Sequence, residues 1–370
     1  MKFPLVWRSV ALVLLFALTF GFGCGKRAYV SSSGRYDRIP KDWQAKLLEA
    51  RSQLDAEDLD GAYMLLSELA TQNPRILPVR VFLQEIELRL LEERGRAGRL
   101  SVPSPDQAHA WLSNYYLTQS EANPSPESLI LAARLEKDAR SALALLDQAE
   151  ALDPRCVWIP YARAWCNFVD YRFTPAEDAI REAFKLDSGH LQTMRLQAVV
   201  LTAAGESAGA MQVLSLWLRR TAGDPLVSAE QRGEALLDLA SLKVLNGETK
   251  DALRILDAID PRVIAKIARL DQVRAAALED RDAFELAHEA IRRSQLTAPE
   301  DPLPLIQKAR LYARQGDDEN ELATWNELLE HLEEHPDSAG FSALIYRLQA
   351  LTRLQRHERK LAEESRKVTP

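Results

Sequence analysis

Apolar residues recur along this chain at helical spacing and at a fixed longer distance. Ala142, Ala176 and Ala210 are 34 residues apart, and an aliphatic residue follows each of them by four positions. Residues spaced by four and then three positions lie on one face of an α-helix. The pattern therefore predicts amphipathic helices whose small first residue lets a second helix approach closely. The remaining members of this stripe are Leu146 and Ala149, Ile180 and Ala183, Leu214 and Trp217, Ala252, Leu256 and Ile259, and, earlier in the chain, Ala62, Leu66 and Leu69.

Two kinds of short motif separate the predicted helices. Asx-Pro dipeptides such as Asp153-Pro154 stand before a new apolar-periodic run. An Asp or Asn can cap a helix N-terminus, and Pro ends the preceding helix. Within a unit, turns such as Ala204-Gly205-Glu206 supply a glycine that can close the first helix in the left-handed conformation. The other dipeptides are Asn73-Pro74, Asp224-Pro225, Asp260-Pro261 and Asp301-Pro302, and the other turn glycines are Gly247 and Gly316.

A 34-residue unit of helix, turn, helix and Asp-Pro resembles the tetratricopeptide repeat (TPR). The resemblance covers residues 42–336, with a divergent helical pair at 75–122 and a degenerate stretch at 262–296. It implies an all-α fold, an α-solenoid of stacked helix-turn-helix repeats. It also implies a concave groove, lined by the first helix of each pair, that holds a peptide or a partner's helix. The small residue expected within the first helix is matched by Ala50, Ala164, Ala198, Ala240 and Ala309.

The N-terminal segment has the pattern of a targeting signal. Lys2 and Arg8 are its only charged residues, and they precede an uncharged, mostly apolar run over residues 9–23. A spanning helix needs about 20 apolar residues, so a run of this length is typical of a signal-peptide core. The sequence thus divides into predicted segments: signal peptide 1–23, attachment cysteine and flexible tether 24–41, first repeat with the divergent pair 42–122, TPR array 123–336, and C-terminal capping helix 337–370.

Cys24 directly follows the apolar run, and the arrangement resembles a bacterial lipoprotein signal. Gly23 fits the small residue expected before the lipid-bearing cysteine, whereas Gly21 and Phe22 depart from the usual pattern. The resemblance implies a membrane-anchored lipoprotein of the bacterial envelope, facing the periplasm or the exterior. Ordinary secretory cleavage and an uncleaved anchor remain alternatives.

Composition narrows the classes of function. The chain has 47 Lys and Arg against 54 Asp and Glu, a net charge of −7, so it lacks the basic footprint of a general nucleic-acid binder. Three cysteines in 370 residues exclude a disulfide scaffold. No Gly-rich phosphate loop, dinucleotide fingerprint or nucleophile elbow occurs. We therefore expect no cofactor, no bound metal and no catalysis.

Four aromatic residues form the candidate binding site. Their spacing of 3, 4 and 3 puts them on one helix face, and the repeat register turns that face toward the groove. The same register puts Arg163 and Asn167 on the packed face, where burial is costly. The following turn lacks a glycine, and a longer turn would shift the helix and place the aromatics in the core. Both interpretations stay open for Trp158, Tyr161, Trp165 and Phe168.

Four arginines fall on the groove side in the same register. Arginine can bind a carboxylate of a peptide through two parallel hydrogen bonds. Ordinary surface ion pairs are the alternative for these side chains. The residues are Arg134, Arg195, Arg310 and Arg314.

His331 and His335 match the letters of an inverted zinc-protease motif, H-x-x-E-H. Histidines in a last helical turn also interact favourably with the helix dipole, which explains them without a metal. We expect a non-catalytic, envelope-tethered adaptor that binds a protein or peptide in its groove. The alternatives are an assembly lipoprotein that docks through its convex face or residues 75–122, a periplasmic binder of small ligands or glycans, and, remotely, a zinc hydrolase.

Overall fold

The computed structural model describes residues 36, 39–97, 104–222, 227, 229–260, 268–335 and 342–368. These residues form seventeen α-helices and no β-strand. In chain order they are α1 (Trp43–Asp55), α2 (Leu59–Gln72), α3 (Leu77–Arg96), α4 (Pro105–Ala122), α5 (Pro126–Leu135), α6 (Ala139–Leu152), α7 (Trp158–Val169), α8 (Phe173–Leu186), α9 (Leu191–Ala203), α10 (Ser207–Arg220), α11 (Ala229–Leu245), α12 (Thr249–Asp257), α13 (Ala268–Glu279), α14 (Phe284–Thr297), α15 (Leu303–Gln315), α16 (Asp318–Glu334) and α17 (Ser342–Val368).

The helix pairs that make contact are mainly neighbours, or next but one, along the chain. This is the contact pattern of a solenoid, in which one helix pair cannot bury its apolar stripe and neighbouring pairs cover it. Every residue of the predicted second-helix stripe is at most 3% exposed, and the first-helix alanines are at most 2% exposed. The predicted all-α solenoid of stacked helix pairs is confirmed.

Six turns inside the pairs share one geometry, whereas the turn from α5 to α6 has no residue with positive φ. A residue with positive φ closes the first helix, and its N–H and that of the next residue bond back to carbonyl groups of the last helical turn. In three pairs this residue is the predicted glycine, with φ between 74° and 80°. In three other pairs it is a non-glycine residue with φ between 57° and 65°. The glycines are Gly205, Gly247 and Gly316, and the other residues are Glu57, Tyr171 and Asp282.

Tyr171 shows that a missing glycine does not lengthen the turn. It adopts φ 58°, and its N–H bonds to the carbonyl of Phe168 at 3.0 Å. The N–H of Arg172 bonds to the carbonyl of Asn167 at 2.8 Å, as in the glycine turns. The expectation that a longer turn would shift the preceding helix is therefore wrong, and α7 keeps the repeat register.

Two of the Asx-Pro dipeptides end helices rather than begin them. Asp153 is the C-cap of α6, and its Oδ1 accepts the N–H of Arg155 at 3.0 Å. Asn73 ends α2 in the same way, with the N–H of Arg75 at 3.2 Å. The next helices begin later, α7 at Trp158 and α3 at Leu77. For these two dipeptides the predicted N-cap role is wrong because the side chain bonds within a local turn before the next helix starts. Asp301 differs, since its Oδ1 accepts the N–H of Leu303, the first residue of α15, at 3.0 Å.

The stretch that is degenerate in sequence holds a regular helix pair. Helices α13 and α14 pack together, and Ala287, Ile291 and Ser294 repeat the spacing of four and three in buried positions. Asp282 takes the place of the turn glycine. This repeat differs from the others in its signature residues, but its two helices and the turn between them have the same backbone arrangement.

The helix contacts divide the chain into two units, Met1–Gln231 and Arg232–Pro370. The first has aliphatic and aromatic core clusters that join α1 to α3 and α4 to α9. The second has clusters that join α11 to α13, α13 to α15, and α15 to α17.

The last helix is apolar on two faces. In the predicted cap, α17 packs on α16 through Tyr346 and Ala350. Its other face exposes Leu344, Leu348 and Leu351 by 68%, 65% and 48%.

The predicted signal peptide, Cys24 and most of the tether lie outside the described residues. Within the described ranges, no helix combines the length and apolarity needed to cross a bilayer.

Candidate functional site

The four predicted aromatic residues separate into buried and exposed members. Trp158 is 1% exposed, and its ring makes edge-to-face contacts with Tyr161 at 5.6 Å and with His190 at 5.1 Å between centroids. Trp158 is therefore a core residue and does not line a groove, so the core interpretation holds for this residue. Tyr161 and Phe168 are half-buried, and Trp165 is 36% exposed.

The exposed end of α7 carries an apolar surface, which we call the α7 patch and define as Trp165, Val169 and Tyr171. Val169 is 56% exposed and Tyr171 68%. Phe168 supports the patch from below, with its ring 6.4 Å from that of Trp165 and 6.0 Å from that of Phe173. Large exposed apolar side chains grouped on a rigid helix are typical of a binding surface.

Polar residues on the packed side of α7 are paired, so the register carries little penalty. Arg163 donates to Asp147 at 2.5 Å and to Glu150 at 2.7 Å, both on α6. The pKa of the Arg163 guanidinium is raised above its ordinary value, and the hydrogen bond to Glu150 is the largest contribution to this rise. Asn167 donates to the carbonyl of Arg163 at 2.8 Å.

Two of the predicted arginines are engaged inside the first unit. Arg195 is 4% exposed, and its guanidinium carbon lies 5.3 Å from the ring centroid of Trp217. Arg134 donates from Nε to Gln84 at 3.2 Å, and its Nη2 lies 3.7 Å from Glu85. The prediction that Arg195 lines a groove is corrected, and Arg134 joins α5 to α3.

The other two arginines are in the second unit. Arg314 lies 2.8 Å from Asp282, 3.5 Å from Asp280 and 3.6 Å from Glu279, all at the turn between α13 and α14. Arg314 therefore forms surface ion pairs, as the alternative to groove binding predicts. Arg310 is exposed on α15.

The two histidines of the H-x-x-E-H motif lie at the end of α16, with ring centroids 4.8 Å apart. His331 Nε2 is 3.0 Å from the carbonyl oxygen of Glu300. Across the described part of the chain, no three His, Cys, Asp or Glu side chains are grouped so as to hold a metal ion. A zinc site would therefore need a ligand from elsewhere.

A second exposed aromatic pair lies on α4, outside the 34-residue pattern. Trp111 is 50% exposed and Tyr115 45%, and their rings are parallel, with an interplanar angle of 2° and centroids 6.1 Å apart. The only sequence signal for this pair is two aromatic residues four positions apart in a stretch with few charges.

Comparisons with known proteins support the fold class. No model of a known protein family matches the chain. The chain is 27% identical over 185 residues to the cellulose synthase operon protein C of Pseudomonas fluorescens (strain SBW25), a match that spans 47% of this chain and only 14% of that protein.

Among solved structures, the APC/C hetero-tetramer Cut9-Hcn1 is 13% identical with a TM-score of 0.57, covering 85% of this chain and 57% of that chain. A tetratricopeptide repeat protein from Parabacteroides merdae is 12% identical with a TM-score of 0.41, covering 70% and 94%. The chain has the fold of an α-solenoid built from TPR-like helix pairs.

Proposed function

We propose that this protein is a non-catalytic adaptor that binds a protein or peptide partner at the α7 patch. The observation that carries the proposal is the joint exposure of Trp165, Val169 and Tyr171 at one end of a helix whose other faces are packed. Trp and Tyr dominate binding energy at protein interfaces because they bury large areas with few rotatable bonds. Trp165 and Val169 carry no nucleophilic or metal-binding group, so the proposed chemistry of the patch is binding.

The half-buried side chains of Tyr161 and Phe168 are proposed to form the base of this site, beneath the exposed residues. Arg310, exposed on α15 of the second unit, is proposed by itself as a contact for an acidic side chain of a partner, separately from the α7 patch. The guanidinium groups of Arg134 and Arg195 do not belong to the surface because both are engaged within the first unit.

The second part of the proposal is the location, an envelope membrane reached through a lipid on Cys24. The apolar run before Cys24 supports it, and so does the similarity to a protein named for a cellulose synthase operon. A Cys24→Ser variant should lose membrane attachment and the mobility shift of lipidation on electrophoresis. Attachment that survives this substitution would refute lipidation at Cys24.

The partner is identified by crosslinking cells that carry the full chain with a C-terminal tag, followed by membrane solubilisation and mass spectrometry. Trp165→Ala and Tyr171→Gly should each remove the specific partner. Leu296→Ala is the matched control, because Leu296 is an apolar side chain 73% exposed on α14 of the other unit.

Tyr171→Gly separates lost binding from lost folding. Tyr171 has φ 58°, a region that costs an L-residue about 1 kcal/mol and glycine almost nothing. We expect this variant to be more stable than the wild type and still to lose the partner. A partner retained by both patch variants would refute the α7 patch and direct attention to other surfaces.

A further inference from the structure

Helix α4 presents an exposed strip that carries no charge. The exposed positions from residue 107 to residue 119 follow spacings of three and one, so they form one continuous face of the helix, about 18 Å long at 1.5 Å per residue. In a chain with 27% charged residues, a strip of this length without any is unusual. We call it the α4 strip, and it consists of Gln107, Ala110, Trp111, Asn114, Tyr115, Thr118 and Gln119.

The centre of the α4 strip is a pair of parallel aromatic rings, which we call the aromatic platform. The Trp111 and Tyr115 rings are parallel within 2°, and about half of each side chain is open to solvent. Amide groups of Asn114 and Gln119 and the hydroxyl of Thr118 lie on the same helix face. The amides can donate and accept hydrogen bonds without carrying charge. The Thr118 hydroxyl donates to the carbonyl of Asn114 at 2.9 Å, so it is available as an acceptor.

Packing beneath the strip holds the platform in place. Tyr115 meets Tyr116 edge-to-face, with centroids 5.5 Å apart and an interplanar angle of 90°. Tyr116 is 4% exposed and donates its hydroxyl to Glu87 Oε2 at 2.6 Å. Burial raises the pKa of Tyr116, so its hydroxyl stays a donor. A platform ordered before binding avoids much of the entropy cost of forming a site.

Two flat aromatic faces bordered by neutral amides and a hydroxyl fit a neutral sugar polymer. The electron-rich ring faces attract the C–H groups on the faces of sugar rings, and the amides match sugar hydroxyl groups. An anionic polymer would find no opposite charge on the strip, and Glu121, exposed three residues after Thr118, would repel it. We propose that the α4 strip binds a neutral polysaccharide, with sugar rings stacked on Trp111 and Tyr115.

The proposal is tested by native affinity electrophoresis of the full chain in gels that contain hydroxyethyl cellulose, a mixed-linkage β-glucan or dextran, with alginate as the charged comparison. We expect retardation in at least one neutral glucan and none in alginate. Trp111→Ala and Tyr115→Ala should each weaken the retardation roughly tenfold in apparent affinity, as for aromatic contacts at the centre of an interface. Trp111→Phe should retain part of it.

Two controls keep the test specific. Trp165→Ala removes the ring of the α7 patch, and Leu152→Ala removes another apolar side chain, 53% exposed on α6. Both should bind the glucan like the wild type. Circular dichroism of every variant should be unchanged, because Trp111 and Tyr115 are half exposed and contribute little to the core.

Three outcomes would overturn the proposal. They are no retardation in any neutral glucan, equal retardation of wild type and Trp111→Ala, and binding to alginate alone. Capture of a polypeptide by a photocrosslinker placed at residue 111, with no glucan binding, would instead assign the α4 strip to a protein partner. Loss of partner binding by Trp165→Ala is measured independently, so either proposal can fail without the other.

Discussion

At the scale of single residues, one helix holds two tryptophans in contrasting environments. Trp158 is 1% exposed, and the His190 ring of the next repeat packs against it. Trp165 is 36% exposed and contacts Phe168 at the surface. The two positions share a helix face, so their difference comes from what the neighbouring repeats place over each ring.

This difference predicts unequal effects on stability. Trp158→Ala should lower the free energy of unfolding by about 3–5 kcal/mol, because it removes a buried aromatic side chain and leaves a cavity. Trp165→Ala should cost about 1–2 kcal/mol, because part of its surface is already in water. Urea unfolding followed by circular dichroism measures both. Equal losses would contradict the placement of Trp165 at the surface.

At the scale of helices, the start of α9 depends on a buried histidine. His190 is the N-cap, and its Nδ1 accepts the N–H of Thr193 at 3.3 Å. Its ring also packs against Trp158 and Tyr161 of α7, so one side chain both begins a helix and joins two repeats. Burial lowers the pKa of His190 from 6.5 to about 4, against a smaller opposing effect of Asp187.

The lowered pKa predicts a stability that falls in acid. Between pH 6.5 and about 4 the unfolded chain binds a proton at this ring and the folded chain does not, so the contribution is complete above pH 6.5 and decreases toward pH 4. The two pKa values differ by about 2.5 units, which corresponds to a loss of about 3 kcal/mol across this window.

Urea melts between pH 4.5 and 7.5 measure this loss, with His190→Asn as the control. Asparagine can still cap the helix and does not titrate. The variant should have a lower free energy of unfolding at pH 7.5. The slope of that free energy against pH should be smaller than in the wild type, by the amount that about one bound proton contributes. Parallel pH profiles for wild type and variant would show that another group is responsible.

At the scale of the whole molecule, contacts run mainly between neighbouring helices along the chain. Stability in such a fold is close to a sum of local terms, and local unfolding need not spread. Hydrogen exchange followed by mass spectrometry should therefore show Trp158→Ala losing protection in α5 to α9. Amides around Leu328 and Leu332, buried in the second unit, should exchange as in the wild type. A uniform loss of protection along the chain would contradict this local stability.

The repeat pattern was enough to predict the fold and the residues at its core. The alanine stripes and the turn glycines occur as the spacing indicates, and helices α3 and α4 lie within residues 75–122. Helical periodicity is local, so the apolar face of each helix can be read from residues three and four apart. The pair in α13 and α14 is harder to recognise because Ser294 and Asp282 stand at its signature positions.

The candidate binding surfaces depend on side chains from other repeats. Register alone treats Trp158 and Trp165 alike, but His190 covers only the first. Arg195 has the spacing of a groove residue, yet Trp217 of α10 covers its guanidinium. By itself the sequence determined the helices, their buried faces and the solenoid, because periodicity and turn chemistry act within a unit. Only the tertiary structure decided which aromatic and charged side chains reach the surface, because exposure depends on the atoms that adjacent repeats bring over them.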